Sequence, residues 1–149
     1  MTTPPVEPDP EKPEVALAIL HCAGQFLLQL RDDLPTILYP GHWALFGGHL
    51  ELGEPPDVGI RRELAEEIGH VPPQLFRVDC HEDTDVIRHI YYGELEVALE
   101  QLQLGEGQDM ALASITDIRR GEHYSARTGK YHPLGAPHQR ILLNYLENP

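Results

Sequence analysis

The sequence predicts an α/β (α+β) domain: a mixed β-sheet with helices packed on it. Three observations predict it. Apolar and β-branched runs of strand length recur along the chain, clearest in "EVALAILHC" (Glu14 to Cys22) and "DVIRHIYYGELEVA" (Asp85 to Ala98). Between them the period changes, and Ile60, Leu64 and Ile68 recur at helical spacing. A second helical pattern, with Ile141, Leu142 and Tyr145 on one face, lies near the end of the chain. Strands, a helix, more strands and another helix are the order expected of helices packed on a mixed sheet.

Each element has its own signal. Glu14 to Cys22 alternates and then runs apolar, as a buried strand does. Ala23-Gly24-Gln25 is a turn, and Phe26 to Leu30 is the returning strand of a hairpin. Asp32 to His42, with two prolines and a glycine, is expected as a loop. Trp43 to Phe46 is a short strand ending at Gly47-Gly48. Pro55 and Pro56 suit a helix entrance, where a missing amide hydrogen matters little; the helix runs to Ile68 with Gly69 as its stop. Pro72 and Pro73 then break the chain. Leu75 to Asp79 and Asp85 to Ala98 are expected strands, Gln103 to Gln108 a loop, and Met110 to Ile115 a strand. Thr128 to Pro133 reads as a flexible substrate loop or a plain connection, and Pro137 to Leu146 as the terminal helix.

A chain of 149 residues suits one domain, expected over 14–149 after a proline-rich, acidic, disordered leader at 1–13. That leader lacks the basic and apolar regions of a secretory signal, and no apolar run is long enough to span a membrane. The cytoplasm is the expected compartment. Cys22 and Cys80 have no metal-like spacing and read as two small, half-buried residues. A formal net charge of −13 excludes a general affinity for nucleic acid or anionic membrane. It does not exclude small phosphorylated substrates, because a bound cation reverses the sign locally.

The most informative stretch is "FGGHLELGEPPDVGIRRELAEEIGH", Phe46 to His70. On a helix, Glu63 and Glu67 lie one turn apart with Glu66 beside them, at the edge of the apolar stripe. Repulsion at this spacing weakens a helix. A solvated acidic face accounts for the three glutamates alone, but not for the glycines or for Glu54 just before the helix. Carboxylate oxygens are hard ligands suited to Mg²⁺ or Mn²⁺, and Gly47-Gly48 let the backbone approach the same ion. Gly59, inside the helix, costs roughly 1 kcal/mol relative to alanine, and its expected compensation is close approach to the sheet.

The stretch resembles the Nudix box, the signature of the Nudix hydrolases. The matching positions are Gly48, Glu54, Arg62, Glu63, Leu64, Glu66, Glu67 and Gly69, at the family's spacing. His70 stands where an apolar residue is usual, and Phe46 where many members have proline. The resemblance implies a Nudix-type α/β/α sandwich and hydrolysis of a nucleoside diphosphate linked to another group, with Mg²⁺ as cofactor. Carried over by position, Glu63, Glu66 and Glu67 are metal-ligand candidates, joined by the Gly47 carbonyl. Arg62 orients the glutamates, and Glu54 is structural or binds through water. The base is Glu66 or a neighbour, or a later loop residue. Glu106, in the glycine-flanked "LGEGQDM", is the best loop candidate, and Asp109 a weaker one. Dimers are common among relatives, so a homodimer is compatible with the resemblance.

Substrate selection is less legible. Trp43, Phe46, Tyr39, Tyr91 and Tyr92 are candidates to stack on a base. Arg31, Arg127 and Lys130 are candidates to hold phosphate, with Arg31 preferred because it ends a strand near the expected cleft. The box leaves open a nucleotide sugar, ADP-ribose, a dinucleoside polyphosphate or a modified nucleoside triphosphate. A rival reading is a domain that senses a nucleotide metabolite without cleaving it. Nine histidines, His42, His49 and His81 among them, show no zinc spacing, and "HEDTD" lacks the rest of a calcium loop.

Overall fold

The computed structural model describes residues 12–148. The expected leader falls mostly outside them. At its end, the Pro13 carbonyl accepts from the Ile87 amide at 3.0 Å, and Lys12 pairs with Glu82 at 2.9 Å.

A mixed sheet organises the chain. Strands β1 (Glu14–Cys22) and β2 (Gln25–Leu30) form the expected hairpin, turning at Ala23 and Gly24, both with positive φ. The segment after the loop divides into β3 (Trp43–Ala44), which pairs with β2, and β4 (Phe46–His49), which pairs with β1. Leu45 is the step between the two. Helix α1 (Pro56–Ile68) follows, then β5 (Phe76–Glu82) and β6 (Ile87–Glu94). A single 3₁₀ turn, Leu99–Gln101, precedes β7 (Asp109–Ser114). The chain continues through α2 (Ile115–Arg120), β8 (Glu122–Ser125), β9 (Lys130–Pro133) and α3 (Ala136–Glu147). The main sheet runs β3-β2-β1-β6-β5, with β7 on β2 and β4 on β1, and β1 and β6 are parallel from Glu14↔Ile87 to His21↔Glu94.

Both faces of β1 are covered, which explains its nearly unbroken apolar run. Ala16, Ala18 and Leu20 face Ile60, Leu64 and Ile68 of α1. Leu17 and Ile19 face Ile118 of α2 and Ile141 and Leu142 of α3. The result is the expected α/β/α sandwich, with the acidic helix alone on one side of the sheet.

Several boundaries differ from expectation. β6 stops at Glu94, not Ala98, because Leu95 and Leu102 turn in under α1. The helix α2 and the β8–β9 hairpin were not expected. α2 is only six residues long, and its start is set by the Ser114 hydroxyl accepting from the Asp117 amide at 3.1 Å. The "TGKYHP" segment is not a free loop: it forms the turn and second strand of a hairpin in which Gly129, at φ 73°, closes on the Ser125 carbonyl. Gly59 does approach its surroundings closely, but the neighbours are Leu50 and Glu54 of the preceding loop, not the sheet. Cys80 is exposed and Cys22 half-buried, and both are free thiols.

Gly47 is the position with least tolerance. Its φ is 141°, and a β-carbon there would sit 2.0 Å from the Ala16 carbonyl oxygen. Gly47→Ala is therefore expected to lower stability by more than about 2 kcal/mol in urea unfolding, because backbone and not a side chain must move.

Candidate active site

Four elements meet at the acidic cluster: the β4 strand, the loop before α1, α1 itself and the loop before β7. Gly48 lies against Glu63 so closely that a β-carbon would come within 2.7 Å of its carboxyl. The Gly47 amide donates to Glu67 Oε2 at 3.3 Å. The glycine pair thus lets the strand lie directly on two carboxylates of the helix.

Arg62 organises the acidic side chains. Its Nε and Nη2 donate to the two oxygens of Glu54 at 2.8 and 2.9 Å, a bidentate pair. Nη1 donates to Glu63 at 3.0 Å, and reaches Glu66 only at 3.5 Å. Nη2 also donates to the His49 carbonyl at 3.2 Å. Glu54 further accepts from the Glu51 amide at 3.0 Å. Its bonds to Arg62, then to that amide, hold its carboxyl down to about 2. Both oxygens of Glu54 are thus engaged within the fold.

Glu67 is the opposite case. Burial, a hydrogen bond with Glu63 and the charges of Glu63 and Glu106 push its carboxyl up to about 8, against the opposing pull of the Gly47 amide. Glu106 reaches this region because its loop is tied at both ends. The Gly105 amide donates to the Glu67 carbonyl at 2.8 Å, and a β-carbon on Gly105 would meet the Glu66 carbonyl at 2.8 Å. On the other side Gly107, at φ 97°, lies against the Leu30 carbonyl, which accepts from the Gln108 amide at 2.8 Å. Both glycines flanking Glu106 are thus required by close backbone approach.

The structure seats Glu63 and Glu67 on Gly48 and Gly47, and ties the loop that carries Glu106 to the Glu67 backbone. It leaves Glu66 at the outer edge, with 62% of its side chain exposed. Among the described residues, no three carboxylate, imidazole or thiol groups stand in a ready-made metal cluster.

Two sequence-based candidates for the substrate site are corrected. Trp43 is fully buried, and its Nε1 donates to the His123 carbonyl at 2.9 Å. Phe46 is fully buried in the core beneath α1. Neither has a free face for a base. Tyr91 is likewise buried, with its hydroxyl bound to Asp57, and Tyr92 stacks on Tyr145. Tyr39, half-buried in the 32–42 loop, meets His42 and His138 edge-on. Arg31 gives Nε to the Leu38 carbonyl at 2.7 Å, so part of its guanidinium holds the same loop. Asp109 is buried and accepts from Ser125 at 2.7 Å, which removes it as a base candidate. Arg127 lies 3.5 Å from Asp109 with most of its side chain exposed, and Lys130 is exposed on β9. His81 pairs with Asp79, and His42 Nδ1 contacts the Pro40 carbonyl, so neither joins the acidic cluster. Sequence reasoning passed over Gln29, a buried amide between Leu28 and Leu30; a polar residue in an otherwise apolar strand was the available signal.

With this geometry in place, a model of the NUDIX domain matches residues 10–132. The chain belongs to the NUDIX family, the family of the Nudix hydrolases. It is 42% identical over 77 residues to the nucleoside triphosphatase NudI of Enterobacter sp. (strain 638), a match covering 47% of this chain and 53% of that protein. A match to NudI of Salmonella agona (strain SL483) is 33% identical over 76 residues, with the same coverage. The chain thus spans about half the length of these curated relatives. Among solved structures, the MutT protein of Methanosarcina mazei Go1 aligns at a TM-score of 0.68 with 22% identity, covering 91% of this chain and 93% of that one. The NUDIX domain of Shewanella oneidensis NrtR, solved with ADP ribose, aligns at 0.69 with 19% identity, covering 98% and 92%. These two likenesses concern the fold.

The environment of Glu67 has a measurable consequence in the metal-free protein. Its folded pKa of about 8 exceeds the ordinary 4.5, so the folded state keeps a proton that the unfolded state has lost. Stability should therefore fall as pH rises from about 5 toward 8. A melting series in a metal chelator should show this decline, and Glu67→Gln should flatten it.

Proposed function

We infer that this protein hydrolyses a diphosphate bond in a nucleoside diphosphate linked to a further group, with Mg²⁺ as cofactor and Mn²⁺ as its substitute. The observation that supports this most is the Glu63–Glu67 pair seated on Gly47-Gly48, with Glu106 drawn in beside it. The donor set fits a hard divalent cation. It consists of oxygens, and Arg62 gives its hydrogen bonds to Glu54 and Glu63, so that Glu67 is left to the buried edge of the site.

Glu63, Glu67 and the Gly47 backbone would hold the ion, with exposed Glu66 free to turn toward it. A bound Mg²⁺ would neutralise phosphoryl charge and lower the pKa of a water molecule. Glu106, exposed at the tip of its tethered loop, is the base that takes the water proton, and Glu66 is the second candidate. Arg62 keeps Glu63 directed at the site. Arg31 offers its remaining guanidinium donors to substrate phosphate.

A nucleoside triphosphate is the favoured substrate, since the curated relatives bear that activity in their names. Nucleotide sugars, ADP-ribose and dinucleoside polyphosphates complete the test panel. The acidic balance favours a small soluble nucleotide over nucleic acid, and among the described residues no helix is long and apolar enough to cross a membrane. The cytoplasm is the compartment, and a homodimer the assembly, that we carry forward for test.

Product release should be followed across this panel with Mg²⁺. At least one nucleotide should be cleaved, and Glu67→Gln and Glu106→Gln should each slow turnover by about 100-fold or more. Glu106→Gln should retain the rise in melting temperature with Mg²⁺, whereas Glu67→Gln should lose it. Nucleotide binding without cleavage anywhere in the panel would instead assign a sensing domain.

A further inference from the structure

Gln29 is a buried amide in the middle of β2, 7% exposed, between two fully buried leucines. Its cross-strand partners are Ala44 and Met110. Leu28 and Leu30 point to the α2/α3 side, while Leu27 packs in the core under α1. Strand alternation puts Gln29 on the α1 face, the face of the acidic cluster. An amide there is unfavourable unless its polar atoms are used, and leucine would fill similar space without that cost.

The amide bonds one chain segment and lies beside another. Its Nε2 donates to the Leu45 carbonyl at 3.3 Å. Leu45 is the step between β3 and β4, so its peptide lies outside both ladders, and His138 Nδ1 accepts from its amide at 3.2 Å. Two residues further on, Gly47 donates to Glu67. The other end of the Gln29 amide, Oε1, lies 3.8 Å from where a β-carbon of Gly107 would stand. Gly107 directly follows Glu106. One side chain therefore stands between the segment that carries Gly47, which it bonds, and the segment that carries Glu106, which it lies beside.

We propose that Gln29 is a positioning residue that fixes the Glu106 loop relative to the Gly47 strand, and so sets where Glu106 stands against the Glu63–Glu67 pair. It rests on the hydrolase reading above, and acts through Glu106 without touching substrate. Leu45, stepping from one ladder to the next, has a carbonyl that no strand neighbour holds. Gly107 takes a left-handed conformation against Leu30. Gln29 lies between these two irregular points, bonded to the first and packed beside the second.

Gln29→Leu removes the hydrogen bond to the Leu45 carbonyl and the amide oxygen that stands beside Gly107. In the metal-free protein, amide spectra should show the Gly47 and Gly107 signals displaced together, with the melting temperature within a few degrees of the parent. With the substrate identified by the panel, kcat should fall about tenfold at nearly unchanged KM. In a Glu106→Gln background the same change should cost nothing further, because the residue it positions has already lost its function. Gln29→Leu with parent kcat and undisturbed Gly47 and Gly107 signals would overturn the proposal. So would a tenfold loss that persists in the Glu106→Gln background. If the parent cleaves no member of the panel, the hydrolase reading fails, and the glycine signals alone decide whether Gln29 bridges the two segments.

Discussion

Among the described residues, Arg62 is the cation that pairs with the acidic cluster. Its fork is shared among both oxygens of Glu54, one oxygen of Glu63 and the His49 carbonyl. These partners come from the loop before α1, from the helix and from the end of β4. The guanidinium therefore does more than cancel charge: it locks the helix to the strand that carries the two glycines. Arg62 gives its hydrogen bonds to Glu54 and Glu63. Burial of Glu67, and then its hydrogen bond with Glu63, raise its pKa. The same packing keeps Glu54 ionised and lets Glu67 hold its proton to higher pH.

The sheet supplies the second constraint. The segment from Trp43 to His49 serves two strands in turn, β2 and then β1. A chain that changes partner must step sideways, and the step leaves peptide groups without ladder bonds. Here Gln29 and His138 reach the Leu45 peptide through its carbonyl and its amide. Past the step, Gly47 lies so near β1 that a methyl group would strike the Ala16 carbonyl. The strand can then lie on the carboxylates of α1. Tight packing and the acidic cluster are two results of one geometry.

The residues with chemistry were readable because their identity and spacing carry the information. A helix period fixes which glutamates share an edge, and that local rule placed Glu63, Glu66 and Glu67 before any tertiary contact was known. The order of strands and helices was readable for the same reason, since two-residue and 3.6-residue periods are local. The short elements were not. α2 has only six residues and depends on one cap, and the β8–β9 hairpin holds through Ser125 on Asp109 and Leu134 on Gly121. Contacts of that length and separation leave little trace in local pattern.

What the sequence by itself determined is the class of sheet and helices, the acidic helix with its glycine approach, and the family those residues resemble. What tertiary structure alone decided is which side chains are free to act. Trp43 and Phe46 look like platforms for a base, yet both lie in the core, because an aromatic on a strand covered on both faces has no solvent side. Asp109 and Glu106 look alike in a line of text. One is buried on Ser125, and the other is carried to Glu67 by two glycines pressed on the carbonyls of Glu66 and Leu30. Burial and long-range approach are properties of the packed chain, and the sequence specifies them only through the fold.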